Sequence, residues 1–340
     1  MMTEERLLDR ARGAMVGLAV GDALGMPTQS MSFEQITQYY GGPIDSLRDA
    51  VAQQPIAPNM KAGAITDDTE QAFVLAERLI ADDGQIDNDA YAKDLLCWEA
   101  KMKAKGSLDL LGPSTKAALQ ALTDGVDPEE TGKFGTTNGG AMRATPVGIV
   151  FRPGKALADA AWQSCVVTHN TVQGIEATTL VAAAVSYAIE GDGDFLRKAL
   201  DFVKSMPQRG NWSAKASVSA RVQWFMDWSE GEGRSFSDEE FAQVLRSDCG
   251  TSVESNESVT AAFSVASRFF DDPTKALCFA ASLGGDTDTI AAMTGAMLGA
   301  WHGPNGFDED IANQVVRQMK DDNQLDVDRT VAELCGMRRD

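Results

Sequence analysis

Cations are scarce in this chain of 340 residues: 30 Lys and Arg stand against 50 Asp and Glu, a formal net charge of −20. Such a surface repels phosphate backbones and anionic membranes, which argues against nucleic acid as a partner. It suits solubility, or a local field that gathers divalent cations if the acids cluster. The five cysteines are few, odd in number and far apart, with no CxxC pair. That excludes a disulfide framework and a cysteine zinc site and fits a reducing compartment. Cys97, Cys165 and Cys278 sit beside apolar neighbours and are expected as small core residues. No uninterrupted apolar run reaches the ~18 residues of a membrane span, and the opening MMTEERLLDR lacks the apolar region of a signal peptide. A cytoplasmic protein without a membrane partner is the expectation. GxSxG is absent, as are the Walker A and Rossmann glycine patterns, so a serine-hydrolase elbow and the common nucleotide folds find no support.

Strand signals are also thin. VGIV near Val147 and SCVV near Ser164 are short apolar runs outside any alternating pattern. Helical periodicity fills the rest. Leu7, Leu8, Ala11, Met15 and Leu18 recur at three- and four-residue steps, as do Ala72, Phe73, Ala76, Leu79 and Ile80. Val259, Ala262, Phe263, Ala266, Phe269 and Phe270 repeat the pattern. The stretch 174–190 is almost wholly apolar and ends at Gly191, a C-cap signal, so it reads as a helix buried on all sides. The stretch 290–301 is similar but rich in small residues, which suits a central helix in close backbone contact. Proline-bearing 41–63 and acidic 229–238 read as loops. Neither divides two cores, and the expectation is one all-α, compact helical bundle over 1–340.

Two segments put clustered acids where a helix begins. Thr66-Asp67-Asp68-Thr69 precedes one helix, and with Asp67 as N-cap and Glu70 three residues on it reads equally as a capping box. Gly284-Gly285-Asp286-Thr287-Asp288-Thr289 precedes the small-residue helix, where Asp286 and Thr289 could cap. Buried carboxylates must be paired, hydrogen-bonded or metal-bound, and no excess of Lys or Arg lies nearby. Four carboxylates with flanking threonine hydroxyls form an all-oxygen set that suits Mg²⁺ or Mn²⁺ rather than zinc or copper. Two such sets facing each other could hold two ions ~3.5–4 Å apart and activate water. A third segment, Thr136 to Arg143, carries adjacent glycines before a helix-like stretch, a shape that admits an anion and to which Arg143 could add charge; a tight turn explains the glycines equally well. There are only two histidines. His169 precedes the buried helix and could line the same pocket, whereas His302 reads as a cap.

At these residues the sequence resembles the ADP-ribosylglycohydrolase family. GAMVGLAVGDALGMPTQ from Gly13, ITDDTEQAF from Ile65, TNGGAMRATPVG from Thr137, VTHNTVQGIEA from Val167 and LGGDTDTIAAMTGAMLGAWHG from Leu283 match its motifs in order. The stretches between them look most like an uncharacterised bacterial branch of hydrolases. The resemblance implies an all-α fold around a dinuclear magnesium or manganese centre, with Thr66, Asp67, Asp68, Asp286, Asp288 and Thr289 as ligands. It implies that Asn138, Gly139, Gly140, Met142 and Arg143 belong to a loop approaching the substrate's phosphate-bearing part, with His169 near the ligand. Asp22 matches the acid of the family's GDALG segment, where a structural role at a helix end is expected. Two positions depart from the family pattern: Gln29 stands where many members carry a glutamate, and Leu110, with Asp109 one residue out of register, where they often carry an aspartate. Glutamine offers a carbonyl but cannot act as a base. The implied activity is hydrolysis at the anomeric carbon of a ribose in an ADP-ribosylated protein or a small ribosyl compound. Asp68 or Asp286 would help deprotonate the water and Gln29 would contact the substrate. A nucleoside or nucleotide glycosidase and a non-enzymatic ADP-ribose-binding protein are the alternatives.

Overall fold

The computed structural model describes residues 3–104 and 111–340. Helices joined by turns and loops account for the described regular structure, with four isolated β-bridges and no strand among the described residues. Seven helices position the site: α1 (Glu4–Gly25), α2 (Asp67–Ala81), α3 (Asn88–Ala104), α4 (Lys155–His169), α5 (Val172–Glu190), α6 (Ser255–Arg268) and α7 (Thr287–His302). Both weak strand signals are helical instead. VGIV falls within the helix Thr145–Val150 and SCVV within α4, because both runs are buried against other helices rather than paired along an edge.

The pairing of α1 with α7 forms the spine. Glycines at 13, 17 and 21 recur every fourth residue and so line one face of α1. They meet Gly299, Gly295 and Ala291 of an antiparallel α7 backbone to backbone. A Cβ added at Gly17 would lie 2.2 Å from the Gly295 carbonyl oxygen, and one added at Gly295 would lie 2.0 Å from that of Gly17. This contact brings the last turns of α1 beside the first turn of α7. Replacing Gly295 by Ala is expected to destabilise the protein by about 2 kcal/mol through overpacking, even though Ala is the better helix former. Denaturant unfolding checks this, and an unchanged midpoint would mean that the helices part without cost.

α5 runs through the centre and ends on Gly191 in the left-handed conformation, φ 88°. By length and composition it could cross a membrane, but 89% of its apolar window is buried by the surrounding helices. The segment 41–63 carries no helix, as its prolines suggest, and is held by backbone bonds such as Ala50 N–H to Met60 O (2.8 Å). The acidic stretch 229–238 is more ordered than a loop, with a short 3₁₀ turn at Glu232–Ser235. Of the three cysteines expected in the core, Cys165 is buried, Cys278 is half-buried and Cys97 is exposed. Leu95 and Trp98 take the inward face of α3 and leave Cys97 on the other side. His302 closes α7 and its Nε2 donates to the Phe270 carbonyl (2.7 Å), capping the chain beyond α6 rather than its own helix.

Candidate metal centre

The two acidic segments converge. Thr66, not Asp67, is the N-cap of α2, its hydroxyl accepting from Asp68 N–H (3.4 Å). Asp67 and Asp68 are therefore the first helical residues, and both are buried. Glu70 does not close a capping box: it accepts from Trp98 Nε1 and Asn323 Nδ2, each at 2.7 Å. Asp286 occupies the N-cap position of α7 yet makes no side-chain capping bond. Its Oδ2 instead accepts from Asn138 Nδ2 at 2.5 Å. Capping thus fails to explain the acids at either helix start.

Hydrogen bonds knit the segments together. The hydroxyls of Thr66 (3.3 Å) and Thr289 (3.2 Å) both donate to Asp68 Oδ2, one from each helix start. Gln71 Nε2 donates to Asp67 Oδ2 (3.1 Å) from one turn along α2. Asp22, near the end of α1, is fully buried and accepts from Thr66 N–H (2.9 Å), Thr69 N–H (3.2 Å) and Thr69 Oγ1 (2.5 Å). It does serve a helix end, but that of α2, across the fold. One oxygen each of Asp22, Asp68 and Asp288 lies within 4.8 Å of the others.

That packing leaves oxygens without partners. Asp68 Oδ1 and both carboxylate oxygens of Asp288 are buried and have no hydrogen-bond partner among the described residues. Among the described residues no Lys or Arg forms an ion pair with Asp22, Asp67, Asp68, Asp286 or Asp288. Burial pushes the Asp22 and Asp286 carboxyls up to about 6 despite the hydrogen bonds they accept. Burial, reinforced by neighbouring carboxylates, raises Asp67, Asp68 and Asp288 well above the usual range. A nest of buried carboxylates with orphaned oxygens and no counter-charge is costly unless a cation completes it. An all-oxygen donor set with hydroxyl neighbours fits a hard divalent ion.

A cleft of about 260 Å³ opens onto this nest. Asp67, Asp68, Asp286 and Thr289 line it, while Asp288 and Thr66 lie beneath. Gln29, Asn138, Gly139 and Met142 face it. Gln29 Oε1 is buried there and has no hydrogen-bond partner among the described residues. Three of the implied substrate contacts do not reach the cleft. Gly140 packs against α4 and α5, where an added Cβ would lie 2.4 Å from Thr178 Oγ1. Arg143 is wholly buried and donates to Gln71 Oε1 (2.8 Å), the Ser164 carbonyl (3.2 Å) and Thr168 Oγ1 (2.5 Å). His169 is wholly buried behind Thr137, with Nε2 2.9 Å from Thr137 Oγ1. The short helix Gly139–Met142 turns the Arg143 side chain inward, away from the glycine loop.

Sequence reasoning passed over several groups. Gln71 lies four residues after Asp67, the spacing that places two side chains on one helix face. Lys116 and Thr137 line the cleft, and no motif singled out Lys116. Asp109 and Leu110 lie outside the described residues.

The sequence model described as ADP-ribosylglycohydrolase matches residues 3–339. The uncharacterised protein YegU of Escherichia coli (strain K12) is 30% identical, over 99% of this chain and 98% of its own length. ADP-ribosylarginine hydrolase Tri1 of Pseudomonas putida (strain GB-1) is 28% identical, over 92% of this chain and 76% of its own. ADP-ribosylhydrolase ARH3 of Homo sapiens is 25% identical, over 88% and 86%. A solved structure described as an ADP-ribosylglycohydrolase-related protein complex superposes with a TM-score of 0.69, covering 98% of this chain and all of that one at 21% identity, a likeness of fold. With residues 3–339 matched and its acid segments brought together around one cleft, the chain belongs to the ADP-ribosylglycohydrolase family.

Proposed function

We propose that this chain is a metal-dependent hydrolase that cleaves a glycosidic bond at the anomeric carbon of ribose in an ADP-ribosylated protein or a small ADP-ribosyl compound. The orphaned oxygens of Asp68 and Asp288 carry this reading, since an acid nest with no counter-charge among the described residues suits cations. Asp67, Asp68, Asp286 and Asp288 would hold two Mg²⁺ or Mn²⁺ ions, with the hydroxyls of Thr66 and Thr289 alongside. When bound, such ions polarise a water and ribose hydroxyls.

The protein's own groups do the rest. Asp286, its side chain fixed by Asn138, is placed to take the proton from water. Asp68, tied to both helix starts through the hydroxyls of Thr66 and Thr289, is the alternative base. The water oxygen bonds to the anomeric carbon as the bond to the leaving group breaks, the electron pair departing with that group. Gln29, Asn138, Gly139 and Met142 border the space where the sugar must sit. Gln29 presents an amide rather than a carboxylate, so the proton-accepting work falls to the aspartates.

A small cleft and a glutamine in place of the common glutamate also suit a hydrolase of smaller ribosides. Calorimetric titration of ADP-ribose into the protein with saturating Mg²⁺, repeated after chelation, separates the two. Metal-dependent binding is the expected result. A folded, metal-loaded protein that ignores ADP-ribose would sink the first reading and direct the search to ribose release from small ribosides.

A further inference from the structure

Arg143 and His169 do not touch the cleft, yet they belong to one buried polar chain that ends on its wall. We propose that Thr137 is a hydrogen-bond donor to an oxygen of the bound ligand, its proton aimed into the cleft by a relay from Arg143 through Thr168 and His169. The ligand class rests on the functional reading above; the relay itself does not.

The direction of each bond follows from which atoms can donate. A guanidinium only donates, so Thr168 Oγ1, 2.5 Å from Arg143 Nη2, must accept. The Thr168 hydroxyl keeps one proton of its own, and among the described residues the one acceptor within hydrogen-bond distance is His169 Nδ1 at 2.7 Å. Were Nδ1 protonated, that hydroxyl proton would be stranded in a dry interior, at a cost of about 1–3 kcal/mol. His169 therefore carries its proton on Nε2. Nε2 lies 2.9 Å from Thr137 Oγ1 and donates to it. Full burial, with Arg143 nearby, holds the imidazole well below its usual pKa, so no second proton reverses the order. Thr137 Oγ1 has then accepted, and its own proton is left to point into the cleft that the residue lines.

Both ends of the relay are rigid. Arg143 is also bonded to Gln71 Oε1 and the Ser164 carbonyl, with its guanidinium carbon 5.6 Å from the centre of the Tyr91 ring. The loop carrying Thr137 is pinned to the start of α6 by Asn138 N–H to the Val253 carbonyl (3.0 Å) and Ser255 N–H to the Thr136 carbonyl (3.1 Å). Gly139 leaves room for the ring beneath the loop, since a Cβ there would lie 2.7 Å from His169 Cε1. A fixed charge at one end polarises the chain toward the other.

Nitrogen-15 spectra of histidine-labelled protein test the relay directly, because only two histidines exist and His302→Gln assigns them. His169 is expected as the neutral Nε2–H tautomer across roughly pH 6 to 8, and Thr168→Val should abolish that preference. An Nδ1–H tautomer or an imidazolium would overturn the proposal. Titration of ADP-ribose with Mg²⁺ tests the donor. Thr137→Val should weaken binding about 5- to 20-fold and Thr137→Ser about 2-fold or less. Thr168→Val should weaken the wild type several-fold but add nothing to Thr137→Val. Equal losses in both backgrounds would overturn the coupling, with thermal unfolding confirming that each variant is folded. A wild type that ignores ADP-ribose refutes the functional reading, and the relay then stands or falls on the tautomer.

Discussion

Asp288→Asn is expected to lower ADP-ribosyl hydrolysis by about a thousandfold or more while raising the thermal stability of the metal-free protein. The two effects share one cause. Asp288 is fully buried, neither of its oxygens has a hydrogen-bond partner among the described residues, and its neighbours Asp286, Asp22 and Asp67 all repel its charge. An amide of the same shape removes that repulsion, and its N–H groups gain carboxylate acceptors. Metal-free protein should therefore gain on the order of 1–2 kcal/mol. The same change removes an anionic oxygen from the proposed cation site, so the stabilisation expected of the wild type with Mg²⁺ or Mn²⁺ should largely vanish. Asp286→Ala should also abolish turnover, since it deletes both a candidate base and the partner of Asn138. Melting curves with and without metal, beside a turnover assay, decide the matter. A variant less stable than the wild type without metal would show that Asp288 is held by structure rather than kept for chemistry.

The second large effect is a stability of the metal-free protein that falls as pH rises. A carboxyl whose folded pKa exceeds its unfolded value, about 3.9, stabilises the fold while protonated. That contribution is complete below the unfolded pKa and lost as pH climbs through the folded one. For Asp22 and Asp286 the loss runs from the unfolded value up to about 6, and for Asp67, Asp68 and Asp288 it continues higher. In chelator the melting temperature should decline between about pH 5 and 8, a loss on the order of 3 kcal/mol or more. Saturating Mg²⁺ or Mn²⁺ should flatten or reverse the slope, because cations bind the deprotonated carboxylates. A metal-free profile that stays level through this range would mean that the nest is neutralised in some other way.

What the sequence alone determined is the part of the protein written in local patterns. Helix period and the apolar run before Gly191 identified α5, and the small residues of 290–301 announced its partner-hugging neighbour. Two acid pairs at helix starts, with threonines and without cations nearby, marked the segments that meet in the buried acid nest. Periodicity works here because each helix must bury a face, and burial leaves its mark every three or four residues.

Tertiary structure alone decided which buried groups share a space. Asp22 precedes Thr66 by 44 positions and Asp288 by more than 200, yet all three meet because glycines let α1 lie flat on α7. Arg143 and His169 sit in motifs with Asn138 and Thr137, but the turn at 139–142 and the packing of α4 put them behind the wall rather than on it. A motif records that a polar side chain is needed near a site. It does not record which side of a helix or loop faces the cleft, because that depends on helices packed from distant parts of the chain. The same polar residue costs least when every donor and acceptor around it is matched, and only the folded protein fixes that matching.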